Sequence, residues 1–200
     1  MAFTIALPSY SVFAEEENQA KETQTNETNK TQADETTAND TLSLAAETAV
    51  LIDAASGEIL YDKDADKKMY PASITKLMTI LLALENGKLT DEITFSHDAV
   101  YNIEPGSAHI AILEGETLTL EQVLRAIILR SANEASNGVA EYVDGSVEAF
   151  AKHMTERAKE LGCTNTNFVN ANGLFDENHY TTAHDMALIA RELLKHEEYR

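Results

Sequence analysis

Ser73 and Lys76 are the first residues whose types and spacing could do chemistry together. A serine hydroxyl is a poor nucleophile until a base removes its proton. Residues three positions apart share a face of a helix, with Cβ atoms about 5–6 Å apart, and burial favours the neutral form of lysine, which can accept a proton. Ser73-Ile-Thr-Lys76 therefore predicts a serine nucleophile with a lysine base. The plainer alternative is a helix-capping serine followed by a surface lysine.

Ser131-Ala-Asn133 forms a second candidate group, at the predicted junction of two helices. A hydroxyl there can relay a proton between the base and a leaving amine, and an asparagine can bind a substrate amide and hold the lysine. Helix capping by Ser131 explains this serine locally. It does not explain the combination with Ser73 and Lys76.

The elements that must position these residues can be predicted from periodicity and turn signals. Two β-rich runs, residues 49–53 and 58–62, flank Gly57 and predict a hairpin. A helix opens at Pro71-Ala-Ser73 and ends near Asn86-Gly87. Its apolar residues cover nearly its whole circumference, which predicts a buried, central helix.

Further helices are predicted downstream. Thr119-Leu-Glu-Gln122 has the pattern of a capping box, and the helix that it starts ends just before Ser131. A helix over residues 132–143 is expected to stop at Gly145. Ser146 is expected to cap the next helix, which runs to residue 161. A last amphipathic helix is expected over residues 183–196. The stretch up to about residue 118 and residues 165–182 are expected to be irregular.

The N-terminal residues differ in composition from the rest of the chain. Residues 2–13 are mostly apolar, and Val12-Phe13-Ala14 resembles a cleavage site, which predicts a secretory signal peptide over residues 1–14 without its basic region. Residues 15–44 are acidic and almost free of large apolar side chains, which predicts a disordered linker. The folded domain is then expected over residues 45–200, in an exported protein.

Charge and residue counts exclude several classes of function. The net charge of −19 argues against a nucleic-acid partner. Cys163 is the single cysteine, so no intramolecular disulfide is possible, and a buried hydrophobic role is expected. Asp62, Asp64 and Asp66 have EF-hand spacing, but lysine occupies the required glycine position. His179 and His184 lack a His-Glu-x-x-His context for zinc, so neither a metal nor another cofactor is expected.

Four ordered segments carry a resemblance to a known family. They read Tyr70-Pro-Ala-Ser-Ile-Thr-Lys-Leu-Met-Thr79, Arg130-Ser-Ala-Asn-Glu-Ala-Ser136, Asn170-Ala-Asn-Gly-Leu174 and Tyr180-Thr-Thr-Ala-His-Asp-Met-Ala187. From about residue 49 to the end, the sequence resembles the D-alanyl-D-alanine carboxypeptidases, the low-molecular-mass penicillin-binding proteins. Penicillin-binding proteins and class A β-lactamases share the motifs Ser-x-x-Lys, Ser-Asp-Asn and Lys-Thr-Gly.

The resemblance implies an α/β (α+β) fold of the β-lactamase/transpeptidase-like type, with a five-stranded antiparallel sheet packed against a helical cluster. It implies that Ser73 forms the acyl-enzyme, Lys76 acts as base, Ser131 assists proton transfer and Asn133 positions the substrate. The implied ligands are a peptidoglycan peptide ending in D-Ala-D-Ala and, as acylating inhibitors, β-lactam antibiotics. We expect Lys76→Ala to abolish acylation while largely sparing the fold.

One departure from the family pattern is the Lys-Thr-Gly motif, which these 200 residues do not contain. The chain is therefore expected to be the N-terminal part of the domain, without the later strands of the sheet or the C-terminal membrane anchor. On its own it is expected to be a poor enzyme, with an unpaired strand edge at residues 49–53 or 58–62. Two alternatives remain: a class A β-lactamase, although no Glu-x-x-Leu-Asn follows Asn133, and a non-catalytic cell-wall module.

Overall fold

Two antiparallel sheets are formed by short strands. The computed structural model describes residues 2–7 and 43–200. In this part of the chain, the larger sheet has the strand order β1 (Ala2–Leu7), β2 (Thr48–Asp53) and β3 (Ile59–Lys63). The smaller sheet pairs β4 (Glu92–Thr94) with β5 (Thr117–Thr119). The predicted hairpin is confirmed as β2–β3.

Strand β2 lies in the middle of the larger sheet. Val50 faces Asp62 of β3 on one side and Ile5 of β1 on the other. Within the described residues, β2 is therefore paired on both sides, and β1 and β3 are the edge strands of this sheet. Of the two unpaired edges considered from the sequence, the one at residues 49–53 is wrong and the one at residues 58–62 corresponds to an edge strand. Residues 2–7 of the predicted signal peptide form β1. The rest of that segment and residues 15–42 of the predicted linker lie outside the described residues. The signal peptide and the disordered linker therefore stay predictions.

Helices make up most of the domain. After a 3-10 helix over Ala72–Thr75 come α1 (Lys76–Asn86), α2 (His97–Tyr101), α3 (Leu120–Arg130), α4 (Asn133–Asp144), α5 (Val147–Glu160) and α6 (Ala183–Leu193). Thr119 and Gln122 form the predicted capping box at the start of α3. Ser146 accepts a hydrogen bond from the Ala149 N–H at the start of α5. All helices predicted from the sequence are present, whereas α2, β4 and β5 were not predicted.

Helix α1 is the centre of the helical cluster, as predicted. It packs against α3, α4, α5 and α6. Met78, Leu81 and Leu82 are completely buried, and burying such a side chain stabilises the fold by about 1.5–3 kcal/mol. Helix α6 in turn packs on β2, where Val50 and Ile52 are buried. The start of α1 is thereby held rigidly inside the molecule.

Residues away from this core agree with two sequence predictions. Cys163 is buried, and its burial raises the pKa of the thiol to about 12, so it is an unreactive part of the core. Of the aspartates of the rejected EF-hand pattern, Asp62 lies near the end of β3 and Asp64 and Asp66 lie exposed in the turn that follows. The Asp62 carboxylate accepts from the Ala65 N–H of this turn at 3.1 Å. No helix in residues 43–200 is long and apolar enough to cross a membrane.

Candidate active site

Ser73 and Lys76 meet where the 3-10 helix leads into α1. Ser73 is exposed to solvent, whereas Lys76, the first residue of α1, is only 4% exposed. The Lys76 Nζ lies 3.2 Å from the Ser73 Oγ. The proximity of Ser73 and Lys76 predicted from the spacing is therefore present, with the hydroxyl on the solvent side and the amine behind it, and their roles as nucleophile and base stay predictions.

Two oxygen atoms hold the Lys76 amine in place. Its Nζ donates to Asn133 Oδ1 at 2.8 Å and to the backbone carbonyl of Asn172 at 2.6 Å. Both oxygens can only accept, so each takes one hydrogen of the amine. In the neutral amine the remaining lone pair is then left for the Ser73 hydroxyl. This is the orientation that a general base for Ser73 requires.

The electrostatic surroundings of Lys76 favour its neutral form. Burial lowers the pKa of the lysine from 10.5 to about 8, and the nearby carboxylate of Glu134 acts in the opposite direction. With a pKa of about 8, roughly a tenth of the molecules carry neutral Lys76 at pH 7. A base in this range is available at physiological pH and is still strong enough to take a proton.

The same contacts revise the expectation for Lys76→Ala. Removal of the amine leaves the buried oxygens of Asn133 and Asn172 without their donor. An unsatisfied buried polar group costs about 1–3 kcal/mol. Lys76 therefore contributes to folding as well as to chemistry, which its type and spacing did not indicate.

Ser131 lies at the junction of α3 and α4 in a strained conformation. It ends α3 with φ 55°, in the left-handed region that disfavours non-glycine residues by roughly 1–2 kcal/mol. Its Oγ is buried and has no hydrogen-bond partner among the described residues. The N-cap of α4 is Ala132, so the side chain of Ser131 does not cap that helix. Ser131 does cap the C-terminus of α3 through its backbone N–H, so the capping alternative explains the backbone of this residue but not its side chain. Strain beside an unpaired hydroxyl is typical of a functional position.

Residues 169–174 pack beside Lys76 and contact both α1 and α4. The Thr79 Oγ1 donates to the Ala171 carbonyl at 2.6 Å, one turn along α1 from the bond between Lys76 and the Asn172 carbonyl. The Asn172 side chain donates to Asn137 Oδ1 of α4 at 3.1 Å. Asn172 was missed as a site residue because its contact with Lys76 is made by the backbone, which leaves no mark on residue type. The only available signal was the family-like Asn170-Ala-Asn-Gly-Leu174 segment.

Gly173 brings this segment into contact with the residue before Ser73. It has φ 86°, and a Cβ built on it would lie 1.9 Å from the carbonyl oxygen of Ala72. Ala72 itself has φ 48°. Only glycine fits at position 173, because any side chain would displace the backbone that carries the nucleophile.

His179 fixes the same segment from the protein interior. Its Nδ1 accepts from the Val169 N–H at 3.2 Å, and its Nε2 lies 2.8 Å from Thr75 Oγ1. Burial lowers the pKa of His179 to about 4, so the ring is neutral and donates from Nε2 to Thr75. His184 instead contacts Asp66, so the two histidines considered for zinc have separate partners. In the described part of the chain no group of acidic, histidine or cysteine side chains could hold a metal ion.

Solved structures with a similar fold include D-alanyl-D-alanine carboxypeptidases, penicillin-binding proteins and a DD-transpeptidase. The D-alanyl-D-alanine carboxypeptidase DacD from Francisella tularensis superposes with a TM-score of 0.71 at 33% identity, over 80% of this chain and 40% of that one. Penicillin binding protein 5 from Haemophilus influenzae superposes with a TM-score of 0.72 at 33% identity, over 77% of this chain and 46% of that one. A mutant of the Streptomyces K15 DD-transpeptidase superposes with a TM-score of 0.74 at 25% identity, over 78% of this chain and 64% of that one. The predicted β-lactamase/transpeptidase-like α/β fold is thereby confirmed.

Sequence comparison defines the family more closely. The family model "D-alanyl-D-alanine carboxypeptidase" matches residues 30–200. The carboxypeptidase DacF from Bacillus subtilis is 43% identical over 161 residues, which are 78% of this chain and 41% of the relative. DacC from Escherichia coli is 37% identical over 160 residues, which are 76% of this chain and 40% of the relative. The chain belongs to the D-alanyl-D-alanine carboxypeptidase family and spans about two fifths of the length of these relatives.

Proposed function

We propose that this protein is a serine-type D-Ala-D-Ala carboxypeptidase that removes the terminal D-alanine from peptidoglycan pentapeptides. The observation that carries this proposal is the Lys76 amine, 3.2 Å from the Ser73 hydroxyl and held there by Asn133 and the carbonyl of Asn172. Membership of the family supports the substrate class.

In the proposed reaction, neutral Lys76 accepts the proton of Ser73 while the Oγ attacks the carbonyl carbon of the penultimate D-alanine. The bond from that carbon to the nitrogen of the terminal D-alanine then breaks, and the leaving amine receives a proton through the Ser131 hydroxyl. The product is an ester on Ser73, which a water molecule hydrolyses to release the shortened peptide and restore the serine. Asn133 holds the substrate amide in line with the nucleophile.

The same chemistry implies inhibition by β-lactams. The Ser73 Oγ would open the four-membered lactam ring, and the former leaving nitrogen would stay attached to the acyl group. Family membership supports a site of action outside the cytoplasm. We place the protein at the cell wall and the outer face of the cytoplasmic membrane, reached through the predicted signal peptide over residues 1–14.

The direct test is covalent labelling with penicillin. Intact-mass spectrometry should show a single adduct on the protein, and peptide mapping should place it on Ser73. Ser73→Ala should remove the adduct. Ser43→Ala, a change at an exposed serine distant in sequence from the site, should not. An adduct that persists in Ser73→Ala would refute the proposal.

The β-lactamase alternative differs in the fate of the acyl-enzyme. Residues 169–174, which pack beside Lys76, contribute the amide side chains of Asn170 and Asn172 and no carboxylate that could activate water. We therefore expect nitrocefin to acylate the protein stoichiometrically, with slow release. Rapid multiple turnover of nitrocefin, measured at its absorbance change, would favour the β-lactamase.

A further inference from the structure

A cavity of about 350 Å³ lies on the side of α4 that faces residues 100–113. Its walls are largely apolar, with contributions from Val100, Ile103 and Ile112. Glu134, the residue after Asn133, lines it from α4. Glu104 and His109 line it from the loop and are exposed. Glu134 is thus a carboxylate at the wall of a mostly apolar space, next in sequence to a residue that holds Lys76.

The loop over residues 102–113 is attached to the first turn of α4 by two neighbouring bonds. The backbone N–H of Asn133 donates to the Ala108 carbonyl at 2.9 Å. The backbone N–H of Ile110 donates to Glu134 Oε1 at 2.7 Å. Most of the loop is otherwise exposed, so these bonds fix its middle part against α4.

The same turn of α4 also holds the surroundings of the lysine. Asn133 Oδ1 accepts from Lys76, and Asn137 Oδ1 accepts from the Asn172 side chain. The Asn137 Nδ2 reaches the carbonyl of Asn102 at 3.4 Å, at the start of the loop. The loop and Lys76 are therefore both bonded to the N-terminal part of α4. Among the side chains of Asn133, Glu134 and Asn137, that of Glu134 contacts the loop without also bonding Lys76 or Asn172.

The burial of Glu134 is energetically unfavourable, and its contact with the loop alone does not explain why this position carries a charged side chain. It is 1% exposed, and its Oε2 has no hydrogen-bond partner among the described residues. Burial of a charge with an unpaired oxygen is unfavourable, and a neutral glutamine could accept the Ile110 N–H equally well. The charge itself therefore needs another explanation. The neighbouring residue Asn133 bonds the Lys76 amine at 2.8 Å, so Lys76 is a nearby amine on which a negative charge at Glu134 would act.

We propose that Glu134 is a positioning residue for the reaction. Its carboxylate fastens the 102–113 loop to α4, and its negative charge acts on Lys76, so that one side chain influences both the loop beside Asn133 and the lysine that Asn133 holds. This inference rests on the function proposed above for Ser73 and Lys76.

The direction of the charge effect follows from electrostatics. A nearby negative charge favours the protonated lysine and raises its pKa, against the lowering by burial. Removal of the charge in Glu134→Gln should therefore lower the pKa of Lys76 further. His179, on the other side of the α1 start, is neutral near physiological pH and does not change this direction.

The test uses NMR on the full chain. A pH titration of the Lys76 side chain gives its pKa, and hydrogen exchange gives the exchange rate of the Ile110 amide. Glu134→Gln keeps an acceptor for Ile110 and should lower the pKa of Lys76 by about 0.5 or more, a threefold change in the neutral fraction at low pH. Glu134→Ala removes the acceptor and should speed exchange of the Ile110 amide about tenfold. The control is Glu141→Gln, on the same helix, where the carboxylate accepts from Ser96; it should change neither quantity.

An unchanged Lys76 titration in Glu134→Gln would overturn the proposal, as would unchanged Ile110 exchange in folded Glu134→Ala. If Glu134→Ala does not fold, the glutamine variant decides alone. These readouts do not depend on acylation. Failure of wild-type Ser73 to react with penicillin would thus refute the proposed function, whereas a normal reaction with unshifted Lys76 would refute only the role of Glu134. Where the wild type reacts, the low-pH limb of the acylation rate should move to lower pH in Glu134→Gln by the same amount.

Discussion

Lys76 illustrates how burial converts an ordinary side chain into a candidate base. An exposed lysine stays protonated at neutral pH and has no lone pair to offer. Here the side chain is 4% exposed, and its two acceptor oxygens fix the direction of the amine. Burial and orientation both come from the protein around the residue, and neither is contained in the Ser-x-x-Lys spacing.

The protonation of Lys76 should govern the pH dependence of acylation. The reactive form is neutral and exists above the pKa of about 8. The second-order rate constant for penicillin should therefore fall about tenfold per pH unit below that value and level off above it. Stopped-flow or quenched mass spectrometry between about pH 6 and pH 9.5 would measure it. A rate independent of pH over this range would exclude Lys76 as the base.

At the scale of elements, the site depends on the contact between residues 169–174 and the start of α1. Two side-chain hydrogen bonds join the two segments directly, from Thr79 and Lys76. His179 connects them further, because it bonds both Thr75 and the Val169 N–H. Gly173 allows the backbones to approach closely enough for all of them. The element that carries the nucleophile is thus held in place by a segment without regular secondary structure.

Gly173→Ala should disturb both stability and acylation. The new Cβ would overlap the Ala72 carbonyl, so the segment must move and the bond between Lys76 and the Asn172 carbonyl must lengthen. We expect a loss of about 2 kcal/mol or more in the free energy of unfolding and acylation slowed at least about tenfold. Thermal unfolding and penicillin labelling would measure these effects.

Gly115→Ala is the matched control for this change. Gly115 has φ 81°, close to the 86° of Gly173, but a Cβ there would meet nothing within 4 Å. It should therefore cost only the strain of the left-handed backbone, about 1 kcal/mol, and leave acylation unchanged. If the two alanine variants behaved alike, backbone strain alone would explain the effect and the contact with Ala72 would be irrelevant.

Elements were predictable from the sequence where their signals are local. The capping box at Thr119, the cap at Ser146 and the stop at Gly145 each depend on a few adjacent residues, and all three are present. Helix α2 and strands β4 and β5 have only three to five residues, too few to show a period. The pairing of Ser73, Lys76 and Asn133 was predicted, whereas the Asn172 carbonyl and the loop contact of Glu134 arise only in the folded chain.

For the molecule as a whole, β3 is an edge strand of the larger sheet within the described residues. Ile59 and Leu60 on that strand are 44% and 47% exposed. An edge strand with exposed apolar side chains can pair with another chain. The acidic composition of the protein opposes such association only in part, because it does not block the edge itself.

A lysine on this edge should therefore reduce self-association. In Leu60→Lys, sedimentation velocity or light scattering at rising protein concentration should show less oligomer than in the wild type, because charges on edge strands oppose pairing. Leu129→Lys, at the 74% exposed leucine of α3, adds the same charge away from the edge and serves as control. An equal reduction in both variants would indicate a general effect of charge and not pairing through β3.

Ser131 has a consequence for how this protein responds to selection. It combines a left-handed backbone with a buried hydroxyl that has no partner among the described residues. Glycine would relieve both unfavourable features, since it adopts this conformation freely and has no hydroxyl to remove from water. Variants selected for heat resistance alone should therefore become enriched in glycine at position 131, whereas variants selected for reaction with penicillin should keep serine. The two selections would separate at this residue because its stability and its proposed chemistry favour different side chains.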